Sequence, residues 1–302
     1  LNLALVFPGQ GAQEQGMGVG VLDPGSPGHG IATEASDLLG LDVVRLACAA
    51  DNDTIRATEV AQPLLLLLSV ALLETLPDRN REQVAAVAGH SLGEYSALVA
   101  SGALPWQEAL KLVRERGLAM AAASSAGQGM SAVLAMDGAR VEDVLRGVEA
   151  GVVVVANHNA PGQVVISGEL AAIEKAAERL RAAGAKRVMP LAVGGAFHSP
   201  LMAAAADRLG LALDGAPLVD GRPQAFNVDG AIRTEAAEIR AALRAQLTSA
   251  VRWTDCVATL TGMGVDRFVE LGAGGTLTAM GKRIAPDAAW VAVSHPEALV
   301  GL

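Results

Sequence analysis

The chain has 302 residues, 51% of them hydrophobic, and a formal charge of −9 from 23 Lys and Arg against 32 Asp and Glu. That length buries a sizeable core as one large domain or two smaller ones, and the acidic balance excludes general nucleic-acid binding, which needs a basic face. Cys48 and Cys256 stand outside any CxxC or Cys/His ligand spacing, so neither a metal centre nor a disulfide framework is expected.

Leu3 to Phe7 is a short apolar run, read as a first strand, ending at the turn signal Pro8-Gly9-Gln10-Gly11. It has no charged leader with a small-residue cleavage site, so no signal peptide is expected. Pro24 to Gly30 reads as a loop. Val60 to Leu76 carries apolar residues at helical density. Its most lipid-like stretch, Leu64 to Leu76, is roughly 13 residues, short of the ~20 that a spanning helix needs, and Ser69 and Glu74 interrupt it. A buried core helix and a cytoplasmic protein are expected, with no membrane partner. Val84 to Ala88 has strand length and Leu92 to Ser101 reads as a helix stopped by Gly102. Trp106 to Ala123 has the apolar spacing of an amphipathic helix.

The middle of the chain changes character. Met130 to Met136, Val152 to Ala156, Gln163 to Ser167 and Val188 to Val193 read as strands, with helices at Val141 to Val148 and Ala171 to Ala183. Two strand–helix–strand halves in succession are the pattern of a ferredoxin-like unit. An inserted subdomain over 126–191 is expected, with 1–125 and 192–302 forming the large catalytic subdomain. After Pro200, Gln224 to Asn227 and Arg267 to Leu271 read as strands. Ala236 to Leu247 reads as a helix, as does Leu277 to Ile284 after the glycine-rich turn Leu271 to Thr276. The outer segments thus point to an α/β fold with a mostly parallel sheet and helices on both faces.

One motif carries chemistry. Gly89-His90-Ser91-Leu92-Gly93 fits Gly-x-Ser-x-Gly, with a strand before it and a helix after it, the context of a nucleophile elbow. The serine sits on a tight turn that side chains at the two glycines would crowd, and Ser91 lies at a helix N-terminus, where the Leu92 N–H faces a developing oxyanion. A serine hydroxyl needs an adjacent base. The five histidines are His29, His90, His158, His198 and His295. His90 lies inside the elbow, with its side chain expected to point away from that of Ser91, and His29 lies in the loop. His198 follows an apolar run and enters a turn, as a strand-end catalytic group would. The residues alone leave it open against a histidine merely satisfied within the fold, and leave His158 and His295 open as well.

Four segments occur in order: Phe7-Pro8-Gly9-Gln10-Gly11-Ala12-Gln13, Gly89 to Ser96, Gly195-Ala196-Phe197-His198 and Glu270-Leu271-Gly272-Ala273-Gly274. With Ala61-Gln62-Pro63, Asn159 to Gln163 and Val251-Arg252-Trp253 between them, the chain resembles the malonyl-CoA:acyl-carrier-protein transacylase family over essentially its whole length. It departs from the usual pattern at Ala273, where a proline is common, and at Gly194-Gly195.

The resemblance implies a ping-pong transfer. Ser91 is the expected nucleophile and His198 its base. The backbone N–H groups of Gln10 and Leu92 are the expected oxyanion hole, and the Gln246 carbonyl is expected to orient His198, which leaves the Gln246 side chain free to vary. Arg116 is the expected partner of the malonate carboxylate, with Arg114 solvated. Gln62, Asn159 and Phe197 are expected to line the pocket, and a bulky Phe197 implies malonyl over α-branched units. The substrate is malonyl-CoA, the acceptor is the phosphopantetheine of acyl carrier protein, and no bound cofactor or metal is expected. Because acyl carrier protein is acidic, Lys186, Arg187, Lys282 and Arg283 are the expected docking residues, on a chain expected to be a monomer.

Four alternatives stay open. The malonyl-transfer subunit of malonate decarboxylase and a stand-alone polyketide acyltransferase share the chemistry and differ only in acceptor. A serine esterase or thioesterase shares the elbow but expects an Asp or Glu between Ser and His in sequence, and has no use for Arg116. A scaffold without activity requires the elbow, the base and the arginine to coincide by chance.

Overall fold

The computed structural model describes residues 2–301. Its strands, in chain order, are β1 (Leu3–Phe7), β2 (Val84–Gly89), β3 (Gln128–Leu134), β4 (Val153–Ala160) and β5 (Gln163–Glu169), then β6 (Arg187–Pro190), β7 (Gln224–Ala225), β8 (Ile232–Arg233), β9 (Arg267–Leu271) and β10 (Ala289–Val293). Among the described residues they form two sheets.

The larger sheet has the order β10-β9-β1-β2-β7-β8, parallel throughout except for the edge strand β8. Strands covered on both faces should be apolar without alternation. β1, Leu-Ala-Leu-Val-Phe, is such a strand and is buried at every position. From β1 the chain builds outward to β2 on one side and β9 on the other, so a crevice opens at the carboxyl ends of β1 and β2. The nucleophile elbow lies there.

The leucine run forms the helix Thr58–Glu74, buried from Ala61 to Leu73. Pro63 inside it lacks an N–H and frees the carbonyl of Glu59. Arg114 Nη1 donates to that carbonyl at 2.6 Å. Arg114 therefore ties two helices together, a correction to its expected solvation. Three residues on, a Cβ at Gly117 would lie 2.9 Å from Glu59 Cα, so the helix Trp106–Ala123 reaches this contact only with glycine there.

The smaller sheet is antiparallel with order β4-β5-β3-β6, and the helices Gly138–Leu145 and Leu170–Ala182 cover one face. The elements follow one another as strand–helix–strand, strand–helix–strand. Alternation along β5 assigns the two faces. Val164 and Ile166 enter the small core, while Val165 between them faces a cavity beside Ser91. β6 ends at Pro190 rather than running to Val193. It is an edge strand, where a proline is tolerated; one bond beyond it, from Leu191 N–H to Met130 O, still ties the chain to β3, and Leu191 and Val193 line the cavity.

Several elements carry no clear local signal. The helix His29–Leu39 starts directly out of the expected loop, and neither β10 nor the helix Trp253–Gly262 is marked in the chain. Among the described residues, no helix is long and apolar enough to cross a membrane.

Candidate active site

Ser91 sits between the end of β2 and the helix Gly93–Ser101 with φ 53°. A non-glycine residue there costs on the order of 1–3 kcal/mol and must be held by its surroundings. Asn227 holds it, accepting from Ser91 N–H at 2.6 Å through Oδ1 and donating to Gly89 O at 2.7 Å through Nδ2. The glycines are steric requirements: a Cβ on Gly89 would fall 1.9 Å from the Gly93 carbonyl carbon, and one on Gly93 would fall 2.1 Å from Phe7 O. A Cβ on Gly9 would meet His90 O at 2.3 Å, so the Pro8–Gly11 loop is pressed against the elbow. Gln10 and Leu92 therefore flank Ser91, and their N–H groups have no acceptor among the described residues.

His198 Nε2 lies 2.7 Å from Ser91 Oγ, and His198 Nδ1 lies 3.1 Å from Gln246 O. A carbonyl only accepts, so Nδ1 carries the ring proton and Nε2 accepts from the serine. Burial, reinforced by the Arg116 guanidinium, pushes His198 down to about 3, so the ring is neutral at physiological pH. The other histidines are occupied elsewhere. His90 Nε2 pairs with Asn159 Oδ1 at 2.8 Å, His158 lies 3.4 Å from Glu142, His29 Nδ1 is 3.3 Å from Leu22 O, and His295 Nδ1 is 3.1 Å from Ser294 Oγ.

Arg116 is 1% exposed. Its Nη1 donates to Gln62 Oε1 at 2.7 Å, and its Nη2 donates to Ser91 Oγ at 3.0 Å and to Gln246 Oε1 at 2.9 Å. Tyr95 lies beneath, its ring centroid 5.9 Å from the guanidinium carbon. Gln62 thus backs the arginine rather than lining the cavity, and its Nε2 donates to Met120 Sδ at 3.3 Å. The expectation for Gln246 needs correcting. Its side chain is engaged as fully as its main chain, with Nε2 donating to Ser91 O at 2.8 Å and to Glu94 Oε2. An amide at the centre of three buried groups is not free to vary.

On the other side of Ser91 the wall changes character. A cavity of about 190 Å³ is lined by Ser91, His198 and Asn159, and by apolar groups including Met120, Met130, Val165, Leu191 and Phe197. The expected docking residues separate. Arg187 pairs with Leu134, whereas Leu191 N–H bonds to Met130 O at the cavity end, so Lys186 and Arg187 lie at the far end of β6. Lys282 and Arg283 occupy the last turn of the helix Thr276–Ile284, whose first turns contribute Thr276, Leu277 and Met280 to the cavity. Arg283 is tethered, donating to Gln163 Oε1 at 2.7 Å and to Pro161 O.

Residues 4–301 match the model of the acyl transferase domain. The chain is 40% identical over 302 residues to the malonyl CoA-acyl carrier protein transacylase of Bacillus subtilis, covering 99% of this chain and 95% of that one. The chain belongs to the malonyl CoA-acyl carrier protein transacylase family. The Salmonella typhimurium transacylase is 40% identical over 308 residues, covering 99% of this chain and 97% of its own. The crystal structure of an acyl carrier protein S-malonyltransferase from Vibrio cholerae superposes with a TM-score of 0.95 at 37% identity, covering 100% and 99% of the two chains. A malonyl-transacylase solved in complex with its type II polyketide acyl-carrier protein gives 0.95 at 38%, covering 99% and 98%. The α/β architecture with a mostly parallel sheet and a second antiparallel one is that of these transacylases.

Two groups in this transacylase site escape sequence reasoning. Glu94 is fully buried beneath the elbow, where burial pushes it up to about 8 against the opposing pull of the Asn227 N–H, the Gln246 amide and Arg116. Asn227 holds the strained serine. A carboxylate inside the otherwise uncharged helix Gly93–Ser101 is the available signal for Glu94. Asn227, just beyond the two-residue strand β7, has none.

Proposed function

We propose that this protein transfers the malonyl group of malonyl-CoA to the phosphopantetheine thiol of acyl carrier protein, through a malonyl ester on Ser91, for fatty-acid or polyketide synthesis. The observation that carries it is Arg116 Nη2 at 3.0 Å from Ser91 Oγ. A buried cation beside a nucleophile has no role toward a neutral ester. Toward a malonyl thioester, whose carboxylate is one carbon from the reacting carbonyl, it selects the substrate by a charge-assisted pair.

In the first half-reaction the Ser91 hydroxyl proton passes to His198 Nε2 as Oγ attacks the thioester carbonyl. The oxyanion is received by the Gln10 and Leu92 N–H groups. The carbon–sulfur bond breaks, and His198 returns the proton to the coenzyme A thiolate. In the second half the carrier thiol gives its proton to His198, its sulfur attacks the ester, and Ser91 leaves with the proton restored. Side chains and the two thiols supply every group, so the steps call for no cofactor. The His198 ring, neutral and oriented by a carbonyl instead of a carboxylate, supports this over a hydrolase triad.

Residues 126–191 serve in this reading as a subdomain packed on the catalytic subdomain formed by residues 1–125 and 192–302, an assignment supported by their separate sheet and core. Asn159 and Phe197 line the acyl site. Lys282 and Arg283 are better placed than Lys186 and Arg187 to meet an acidic carrier. A cytoplasmic monomer without nucleic-acid or membrane partners completes the proposal, and the net charge of −9 argues against a nucleic-acid partner.

Intact-mass spectrometry after mixing with malonyl-CoA tests it. A single malonyl adduct forms, acyl carrier protein discharges it, and Ser91→Ala abolishes it without lowering thermal stability. Free malonate with no adduct, or loading by the Ser91→Ala protein, would overturn it.

A further inference from the structure

Glu94 does not touch the cavity, yet everything around Ser91 leads to it. Its Oε1 accepts the Asn227 N–H at 2.5 Å, and the Asn227 side chain holds Ser91 and Gly89. Its Oε2 accepts the Gln246 Nε2. The same Gln246 nitrogen donates to Ser91 O at 2.8 Å, which leaves Gln246 Oε1 facing Arg116 Nη2 at 2.9 Å. An amide has one accepting end and one donating end, so whatever fixes its nitrogen fixes its oxygen.

We propose that Glu94 is a positioning residue for acyl-group selection: by accepting from the Gln246 nitrogen it keeps the Gln246 oxygen on Arg116 and so holds the guanidinium beside Ser91, ready for a substrate carboxylate. This rests on the reading of Arg116 given above. The hydrogen-bond polarity makes it specific in the ionised form, above about pH 8, where both carboxyl oxygens of Glu94 only accept. In Glu94→Gln the buried Asn227 N–H still needs an acceptor, so the new amide oxygen stays with it and the new amide nitrogen faces Gln246 Nε2. Two donors then meet. Gln246 then either draws away from position 94, which loosens its hold on Ser91 O and Arg116, or flips, which removes the acceptor from Arg116 and sets its oxygen against Ser91 O. Size and shape at position 94 are unchanged, and the Gln246 main-chain carbonyl still holds His198.

The test is Glu94→Gln, with loading of Ser91 from malonyl-CoA and from acetyl-CoA measured by mass spectrometry beside a thermal melt. kcat/KM for malonyl loading falls roughly 10- to 100-fold, the cost of losing a hydrogen bond to a charged group, while acetyl loading changes less than about threefold. An equal fall for both acyl groups, or no fall for malonyl, overturns the proposal. If Glu94→Gln folds poorly, Gln246→Leu cuts the same link from the other side while keeping the carbonyl on His198. It gives the same malonyl-selective loss, and an undiminished malonyl preference overturns the proposal. Failure of the underlying reading is seen separately, as wild-type protein that forms no malonyl adduct on Ser91.

Discussion

The two sides of Ser91 are built from opposite materials. On the inner side Arg116, Gln62, Gln246, Glu94 and Asn227 form a polar cluster buried almost completely, in which most donors and acceptors are matched. On the outer side Met120, Met130, Val165, Leu191 and Phe197 form an apolar wall, drawn from the smaller sheet, the helix Trp106–Ala123 and the segment after β6. The polar side has its orientation fixed by hydrogen-bond polarity and, in the proposed function, reads charge. The apolar side is fixed by shape alone, three of its members counting Met280 are flexible methionines, and in the same proposal it reads bulk. In the proposed function, the difference assigns selection for a carboxylate to one cluster and selection against a branch to the other, with His198 between them.

Removing the charge on the polar side gives the largest effect. Arg116→Ala lowers malonyl loading at least about a hundredfold, since an unpaired carboxylate in a buried site costs roughly 3–5 kcal/mol, while acetyl loading falls little or rises. Rates of Ser91 acylation from the two thioesters measure this, and equal losses would take Arg116 out of the carboxylate role. On the apolar side, Phe197→Ala opens room beside the base. Discrimination against methylmalonyl-CoA, about 10- to 100-fold for a methyl misfit of ~1–3 kcal/mol, shrinks toward parity while malonyl loading changes less. Competition between the two thioesters reads it, and an unchanged ratio would move the steric filter elsewhere.

Acid pH gives the smallest effect on loading. With His198 held down at about 3, the rate shows no His198 limb between pH 6.5 and pH 5. The sign for stability is opposite to that of an ion-paired histidine. Below pH 6.5 the unfolded chain binds a proton that the folded His198 refuses, so its contribution turns against folding as pH falls from 6.5 toward 3 and vanishes above 6.5. Loading rates and thermal melts across that range check both statements. A limb near 6.5 would mean a histidine far less buried than this one.

The regions differ again in how much of each is legible in the chain. β1, β2 and the elbow can be read because their signals are local: an unbroken apolar run, then glycines at fixed distances from a serine. β6 reads too long because Leu191 and Val193 are as apolar as strand residues, and only the fold shows that they line the cavity beyond Pro190. Arg114 looks solvated because the carbonyl it binds, on Glu59, is freed by Pro63 in another helix. Gln246 looks replaceable because its carbonyl explains its role, while its side chain meets partners 130 to 155 residues away.

The sequence by itself determined the elbow and its candidate nucleophile, since the crowding that requires Gly89 and Gly93 around Ser91 acts within a few residues and leaves its mark in the motif. Its resemblance to one family then pointed to the base and the cation. Only the tertiary structure decided how those groups are oriented. Ser91 meets His198 across 107 residues, and Asn227 and Gln246 meet Glu94 across 133 and 152. The polarity of a hydrogen bond is settled by which atoms the fold brings face to face, and no spacing along the chain records it.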